Sequence, residues 1–288
     1  MTAAGAACVA YGVVLERRWY RLRHLAIPGA LRTPGELTIL HISDIHLSPG
    51  QDHRAAFLAE LAGEHYDLVV ATGDLLGDVG MEDATVGAMA PLTADGTPGL
   101  VVLGSNDLFG PTPKSPLLYF TSPGTRRYGH RHDTERMLRG LAALGYRTLR
   151  NDRTTVETAA GTVAVGGIDD PHLDPTRLPG RERIAVDAPD AALHLGLVHA
   201  PYRAALDLMV DAGHDLVLAG HTHGGQVRLP GIGALTANCD LPLDQARGLS
   251  RWGPSALHVS PGLGHSPYAP FRFACRPEAT LLHLAGAS

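Results

Sequence analysis

Short polar motifs follow five predicted strands of this 288-residue chain, and they come in one fixed order. Each motif stands at the end of a mainly apolar run, and the first run, 37–42, is also rich in β-branched residues, which is the pattern of a strand buried on both faces. In an open α/β sheet the carboxyl ends of the strands meet at one edge, where a ligand can bind. The order therefore predicts an α/β domain with one polar site at its strand ends. The motifs are Asp44-Ile45-His46, Gly73-Asp74, Ser105-Asn106-Asp107, His199 and Gly220-His221-Thr222-His223.

The rest of the chain alternates predicted strands with predicted helices. The strands that precede the motifs are predicted at 37–42, 67–71, 99–103, 193–198 and 215–219. The helices, whose ends are marked by glycine or by capping residues, are predicted at 53–63, 134–144 and 202–212. Further strands are predicted as a hairpin about Gly161 and at 256–260, 272–275 and 280–284.

The net charge argues against a nucleic-acid-binding protein, and the cysteine spacing argues against a cysteine-ligated zinc site. The formal net charge of -5 and the pI near 6.3 give no electrostatic basis for nucleic acid as a stable partner. The three cysteines have no zinc-ligand spacing, and Cys239 and Cys275 either pair in an oxidising compartment or remain free buried thiols. A chain of this length can bury a large core without dividing.

The first 30 residues are apolar at first and then basic. Residues 2–15 form an apolar run that Glu16 interrupts, which is shorter than the roughly 20 residues that span a bilayer. Its amino end lacks the positive charge of a signal peptide. Three alternatives stay open: a shortened membrane anchor, a helix at the membrane surface, or the first helix of the domain. Residues 20–27 are equally consistent with a strand that exposes alternate arginines.

We therefore divide the chain into a segment 1–30 and a main domain 31–288. The segment 1–30 makes peripheral membrane contact in the first two alternatives. The expected location is the cytoplasm or the membrane surface.

Leaving Asp107 aside, the motif residues supply two carboxylates, one amide and four imidazoles. This set is sufficient for two divalent cations that share one carboxylate. Each motif alone also occurs in ordinary turns, and the glycine-flanked His-Thr-His is the most specific of them. Mixed oxygen and nitrogen ligands without thiolate favour manganese, iron or zinc over magnesium or calcium.

The ordered motifs between Leu37 and Pro230 resemble those of the calcineurin-like metallophosphoesterase family. The resemblance implies a four-layer αββα sandwich, in which two mixed sheets face each other and helices cover the outside. It also implies that Asp74 bridges two divalent metal ions. The remaining ligands that it implies are Asp44, His46 and His223 for one ion, and Asn106, His199 and His221 for the other. The segment 220–226 further resembles a bacterial subgroup, often membrane-associated, in which some relatives cleave lipid-linked phosphates.

The resemblance implies hydrolysis of a phosphate ester by in-line attack of a hydroxide that bridges the two metals. A phosphodiester or a lipid-linked phosphate is favoured as the substrate. The alternative is a metal-binding scaffold of the same fold with little or no turnover.

One position departs from the family pattern. The family places a histidine after the asparagine ligand, where it contacts the phosphate and assists the leaving group, but this chain has Asp107. A carboxylate beside two cations is expected to have a lowered pKa and to be a poor general acid. Asp107 is then expected to orient a neighbouring histidine or contact a metal. Either another histidine supplies the proton, or the leaving group of the substrate is good enough to depart without an acid. The catalytic candidates are accordingly Asp107 and His130, with His132, His172 and His265 as further candidate proton donors.

A basic cluster at 124–131 follows the strand that carries Asn106. Arg126, Arg127 and Arg131 are predicted to bind an anionic head group of the substrate, because a guanidinium pairs with phosphate in fork geometry. A solvated basic loop explains the cluster equally well.

Overall fold

The computed structural model describes residues 3–112, 128–174, 176–265 and 269–286. In chain order the strands are β1 (Arg21–Leu31), β2 (Glu36–Ile42), β3 (Leu68–Ala71), β4 (Gly99–Val101), β5 (Tyr146–Thr148), β6 (Asp152–Thr158), β7 (Gly161–Ile168), β8 (Leu193–Val198), β9 (Leu216–Ala219), β10 (Arg228–Leu229), β11 (Gly233–Ala234), β12 (Gly248–Trp252), β13 (Ser255–Val259) and β14 (Glu278–Gly286). The α-helices are α1 (Ala3–Ala10), α2 (Asp52–Leu61), α3 (Glu82–Met89), α4 (Ser105–Leu108), α5 (Thr134–Ala143), α6 (Arg181–Ile184) and α7 (Arg203–Asp211). Short π or 3₁₀ segments lie at Tyr11–Leu15, Glu16–Arg18, Ala90–Thr93, His223–Gly225 and Leu243–Gln245.

The first sheet has the strand order β1-β14-β2-β3-β4-β5. Strands β2 to β5 run parallel to one another. Strand β14 is antiparallel to β2 and parallel to β1, so the sheet is mixed. Because β2, β3 and β4 are parallel, the loops that follow them leave the sheet at the same edge.

The second sheet has the order β12-β13-β9-β8-β7-β6. Its four inner strands are parallel, and both edge strands pair antiparallel with their neighbours. Strands β10 and β11 form a separate two-stranded ribbon. The predicted hairpin about Gly161 is confirmed as β6 and β7.

Apolar side chains of the two sheets pack face to face. Ile39 and Val70 of the first sheet belong to the same buried cluster as Val165 and Leu197 of the second. Their sequence neighbours point outward: Leu40 and Val69, for example, pack in the cluster that includes helices α2, α3 and α5. Helices α6 and α7 cover the outer face of the second sheet. The predicted four-layer αββα sandwich of two mixed sheets is confirmed.

The N-terminal segment packs against the domain. Glu16 is buried, and its carboxylate accepts the backbone N–H groups of Ala274 and Cys275 at 2.9 and 2.5 Å. A Cβ on Gly12 would lie 2.5 Å from the Arg272 carbonyl oxygen, so only glycine permits this close approach. The boundary predicted at residue 30 falls inside β1, which pairs with β14 over most of its length. In the described part of the chain, no helix combines the length and apolarity needed to cross a bilayer.

One predicted strand, 272–275, is wrong. The backbone there is irregular, because Ala274 has a left-handed φ of 51° and the neighbouring Arg272 turns its guanidinium inward onto carbonyl groups. Cys275 in this segment and Cys239 are both free thiols.

Candidate metal centre

The predicted ligands come together at the strand ends of both sheets, with Asp74 between them. Asp74 Oδ2 lies 3.5 Å from His46 Nε2 and 3.4 Å from His199 Nε2. The side-chain amide of Asn106, in the first turn of α4, donates to the same oxygen at 2.7 Å. The Asp74 carboxylate thus faces predicted ligands that follow β2, β4 and β8. The first sheet contributes Asp44, His46, Asp74 and Asn106, and the second contributes His199, His221 and His223.

Asp44, His46 and His223 form one candidate cation group. One ligand atom from each of the three lies within 4.8 Å of the others. His46 Nε2 is 3.2 Å from His223 Nε2, which in turn is 3.7 Å from Asp44 Oδ1. The three residues match the set that the sequence predicts for one ion.

Asp44, Asp74 and His199 form a second candidate group, again within 4.8 Å. His199 Nδ1 donates to the Thr72 carbonyl oxygen at 2.6 Å, which leaves Nε2 directed at Asp74. This is the backbone support that a metal-binding imidazole usually has on its other nitrogen.

His221 lies next to the second candidate group but is not one of its three residues. Its ring packs edge-on to His199 with centroids 5.2 Å apart. Its Nε2 lies 3.2 Å from the Asn238 carbonyl oxygen, so the hydrogen bond of this nitrogen is to a loop carbonyl. Its backbone N–H donates to Asp44 at 3.0 Å.

The residues fit divalent cations. His46 Nδ1 and His199 Nε2 are buried and have no hydrogen-bond partner. Burial lowers the pKa of His46 to about 4, and burial lowers the pKa of His223 well below its usual range, so these rings are neutral and able to ligate. Burial also raises the pKa of Asp44 to about 6, and the nearby Asp74 charge adds to this. Cations at this position would offset the cost of burying two neighbouring carboxylates.

The pKa values of Asp74 and His199 are shifted in opposite directions by their mutual attraction. Burial acts to raise the pKa of Asp74, but His199 and His46 hold it well below its usual range. Burial acts to lower the pKa of His199, but Asp74 and Asp170 hold it well above. A bound cation would replace the proton on His199 as the partner of Asp74.

The backbone at the site is strained. Five of the seven predicted ligands have a left-handed φ between 46° and 68°, although none is glycine. Such conformations cost of order 1 kcal/mol or more each and persist only where the surroundings enforce them. Strain concentrated at these positions is typical of a functional site. These ligands are Asp44, His46, Asp74, His221 and His223.

Glycines permit the close approach of the loops. A Cβ on Gly104 would lie 2.1 Å from Asp74 Oδ1, and one on Gly73 would lie 2.8 Å from His199 Nδ1. Both positions must therefore be glycine for Asp74 and His199 to reach each other.

Asp107 is fully buried and its carboxylate faces backbone amides. It accepts the N–H groups of Asp74, Leu75, Leu76 and Gly104 at 2.7 to 3.0 Å. Burial raises the pKa of Asp107 to about 7, with a further rise from the Asp74 charge, while the amide donors oppose it. The groups of the chain itself thus shift this pKa in the direction opposite to the lowering expected from adjacent cations. The carboxylate joins the loop after β3 to the loop after β4.

The other predicted catalytic and substrate-binding residues lie apart from the ligands. His130 and Arg131 are exposed, and neither contributes to the cleft at the ligands. Arg131 pairs with Phe109 through an isolated β-bridge. Arg126 and Arg127 lie outside the described residues.

Two buried arginines support the site and were not predicted for that role. Arg54 donates to the carbonyl oxygens of Ile45 and His46 at 2.8 and 2.5 Å. Arg272 donates to the carbonyl oxygens of Pro261 and Gly264 at 2.8 and 2.6 Å, and its Nη2 lies 3.4 Å from His223 Nδ1. No motif marks either residue, since their partners are main-chain groups.

A cleft of about 550 Å³ opens over the ligands. Its walls are mainly apolar, and helix α1 with the π-helical segment that follows contributes Val9 and Val13. Within the described residues, no lysine or arginine lines it. The apolar residues of the lining come from distant parts of the chain and include Val9, Val13, Phe109, Leu235 and Phe271.

Comparison with known proteins places the chain among phosphoesterases. A family model described as calcineurin-like phosphoesterase matches residues 37–225. The chain is 34% identical over 149 residues to the uncharacterized metallophosphoesterase YkoQ of Bacillus subtilis (strain 168), an alignment that covers 51% of this chain and 53% of YkoQ. It is 40% identical over 93 residues to the phosphodiesterase YaeI of Escherichia coli (strain K12), which covers 31% and 32%. The chain thus spans about half or less of the length of these two relatives.

Among solved structures, the fold is similar to that of TT1561 of Thermus thermophilus. The sequence identity is 15% and the TM-score 0.43, with 80% of this chain and 91% of that chain covered. The family model covers more than half of the chain, and the predicted family is confirmed. The chain belongs to the calcineurin-like phosphoesterase family.

Proposed function

We propose that this protein hydrolyses a phosphodiester or a lipid-linked phosphate, with two divalent cations bound at the candidate metal centre. The observation that carries the proposal is the position of Asp74, whose carboxylate faces His46 on one side and His199 on the other. The proposed ligands are Asp44, His46, Asp74, Asn106, His199, His221 and His223.

Divalent cations held there would supply Lewis acidity toward the phosphoryl group. The chain itself supplies a rigid frame for them. Thr72 fixes the ring of His199 through Nδ1, and Arg54 fixes the loop of His46 through two carbonyl groups. Nitrogen and oxygen ligands without thiolate favour manganese, iron or zinc.

The walls of the cleft favour a substrate with an apolar part. Val9, Val13, Leu235 and Phe271 line the cleft together with ligands of the site. An alkyl chain buried there would contribute about 0.8 kcal/mol per CH₂ group. A polyanionic substrate would find no cationic side chain on the described walls, which argues for a single phosphate linked to an apolar group.

The outer face of the N-terminal segment supports peripheral contact with a lipid surface. Val14, Leu15 and Trp19 are 55%, 59% and 54% exposed. Val13, which directly precedes them in the sequence, lines the cleft wall. A substrate held in a membrane would therefore enter past an apolar surface.

A hydrolysis panel tests the proposal. Purified protein is assayed on a phosphomonoester, a phosphodiester and a lipid-linked phosphate, with manganese, iron or zinc added after chelation, and bound metal is quantified. We expect metal-dependent turnover with two ions per chain, and a preference for substrates with an apolar group. Asp74→Asn is the inactive reference. Absence of metal-dependent turnover on all three substrates would refute the proposal.

A further inference from the structure

The residue after Asn106 is in no position to contact a substrate. Both carboxylate oxygens of Asp107 accept backbone N–H groups, and the residue is fully buried. Any direct hydrogen bond from a side chain to the reacting phosphoryl group must therefore come from a residue other than Asp107.

His172 lies in the wall of the cleft beside the ligands. It follows β7 in the second sheet and lines the same cleft as Asn106 and His221. Its ring packs on that of His221, with centroids 4.5 Å apart. It belongs to neither candidate cation group.

Two neighbours hold His172 in place. Its backbone N–H donates to Asp170 Oδ1 at 2.9 Å, and Asp170 is 5% exposed. Its ring Nδ1 lies 2.9 Å from the hydroxyl oxygen of Tyr202, the residue just before α7. When the Tyr202 hydroxyl donates to Nδ1, the neutral ring carries its own proton on Nε2. The ring is then a hydrogen-bond donor without any change of charge.

Resting on the proposed function, we propose that His172 donates a hydrogen bond to an oxygen of the reacting phosphoryl group, and that Tyr202 positions its ring. His172 thus takes the place that Asp107 leaves vacant, but it reaches the site from the opposite sheet. Hydrogen bonds to charged oxygens are about twice as strong as neutral ones, and they act on an anion whose charge changes during the reaction.

The other histidines considered for this role lie elsewhere. His130 is exposed and outside the cleft lining. His132 is buried beside Glu82, with 3.8 Å between Nδ1 and Oε1. His265 is buried and also absent from the lining.

The test uses His172→Asn and Tyr202→Phe in the full chain, with His65→Asn, at an exposed histidine, as a control for loss of an imidazole. The measurements are kcat/KM on bis(4-nitrophenyl) phosphate, inhibition by inorganic phosphate, bound metal and thermal unfolding. We expect His172→Asn to lower kcat/KM by about 10- to 100-fold and to weaken phosphate inhibition, with metal content and unfolding temperature unchanged. His65→Asn should remain within about twofold of wild type.

The double variant separates positioning from general damage. Tyr202→Phe should lower kcat/KM by several-fold in the wild-type background and have no further effect when residue 172 is asparagine, because the two residues act through one hydrogen bond. A fully additive loss would overturn the role of Tyr202. His172→Gln is the second variant if His172→Asn unfolds at a lower temperature.

Two failures are distinguishable. If wild type hydrolyses none of the esters, the proposed function fails. If wild type is active but both His172 variants remain within about twofold of it, or lose bound metal, only the role of His172 is overturned.

Discussion

Asp107 accepts the backbone N–H of Asp74 at 2.8 Å, so a buried carboxylate fixes the peptide group of the central ligand. The same carboxylate binds the amide of Gly104, which precedes α4 and Asn106. The loops after β3 and β4 are therefore held together by a carboxylate that does not line the cleft.

Asp107→Asn should destabilise the protein. An asparagine side chain offers one acceptor oxygen in place of two and directs N–H groups at backbone N–H groups, which leaves buried donors unpaired. We expect the free energy of unfolding, measured by urea titration at pH 8, to fall by about 2 kcal/mol or more. Asp244→Asn, which changes an exposed carboxyl, is the control. A loss below about 0.5 kcal/mol would contradict the structural role.

Asp74→Asn should remove the metals. The charge shared by both candidate groups disappears, and only one acceptor oxygen remains for two sets of ligands. Metal analysis after dialysis should show loss at both positions, and hydrolysis should fall by about 10³-fold or more. Asp78→Asn, an exposed aspartate on the same loop, should keep both. Retention of two ions by Asp74→Asn would show that another residue bridges them.

The two ions should respond separately to loss of one histidine. His223→Ala should lower occupancy beside Asp44 and His46, because His223 belongs to that group alone. His199→Ala should lower occupancy beside Asp74 and Asn106. Anomalous scattering from manganese-soaked crystals gives both occupancies. Loss at the opposite position in either variant would reverse the assignment.

Val13→Asp should reduce the preference for apolar substrates. Val13 lines the cleft, and a carboxylate there would lie against a buried alkyl chain. We expect kcat/KM for a long-chain ester to fall by about tenfold or more relative to a short-chain ester. Val14→Asp is a matched control, since Val14 is the next residue but is absent from the lining. Equal effects of both variants on the two esters would show that the chain binds elsewhere.

His214 should make folding stability depend on pH below neutrality. Burial lowers the pKa of His214 to about 4 from a usual value of 6.5. Between these values the unfolded chain binds a proton that the folded protein does not, so stability is lost as the pH falls from 6.5 toward 4. The contribution approaches about 1.4 kcal/mol per pH unit.

His214→Asn tests this contribution, because an asparagine amide can keep the hydrogen bond that Nδ1 donates to the Met209 carbonyl oxygen at 3.0 Å. Urea unfolding of both proteins from about pH 7 to 4.5 should give a shallower pH dependence for the variant. Parallel curves would show that His214 does not titrate on unfolding in this range.

The strand ends were predictable because two local patterns coincide at each of them. A buried apolar run such as 37–42 is followed at once by polar residues such as Asp44 and His46, and both signals lie within a few positions. The roles of Arg54 and Arg272 were not predictable, since their partners are carbonyl groups that any residue has. The hydrogen bonds of Asp107 were not predictable for a related reason. The amides of Asp74, Leu75 and Leu76 that it binds belong to residues 31 to 33 positions away.

The position of the N-terminal segment could not be predicted from its composition. Residues 2–15 are consistent with an anchor, a surface helix or a domain helix. The contact that ties this segment to the domain, from Glu16 to the amides of Ala274 and Cys275, joins positions 258 and 259 residues apart. Alternation of apolar and polar residues carries no information about such a pair.

The place of β14 between β1 and β2 sets the order in which the molecule can assemble. Strand β2, which leads into Asp44 and His46, has β3 on one side and β14 on the other. During synthesis one edge of β2 stays unpaired until residues 278–286 have been made. An unpaired edge is prone to pair with the wrong strand. The strands that carry the other ligands can pair earlier. Newly made chains should therefore form the candidate metal centre late in folding. If β14 formed slowly or were damaged, the open edge of β2 would be exposed to aggregation.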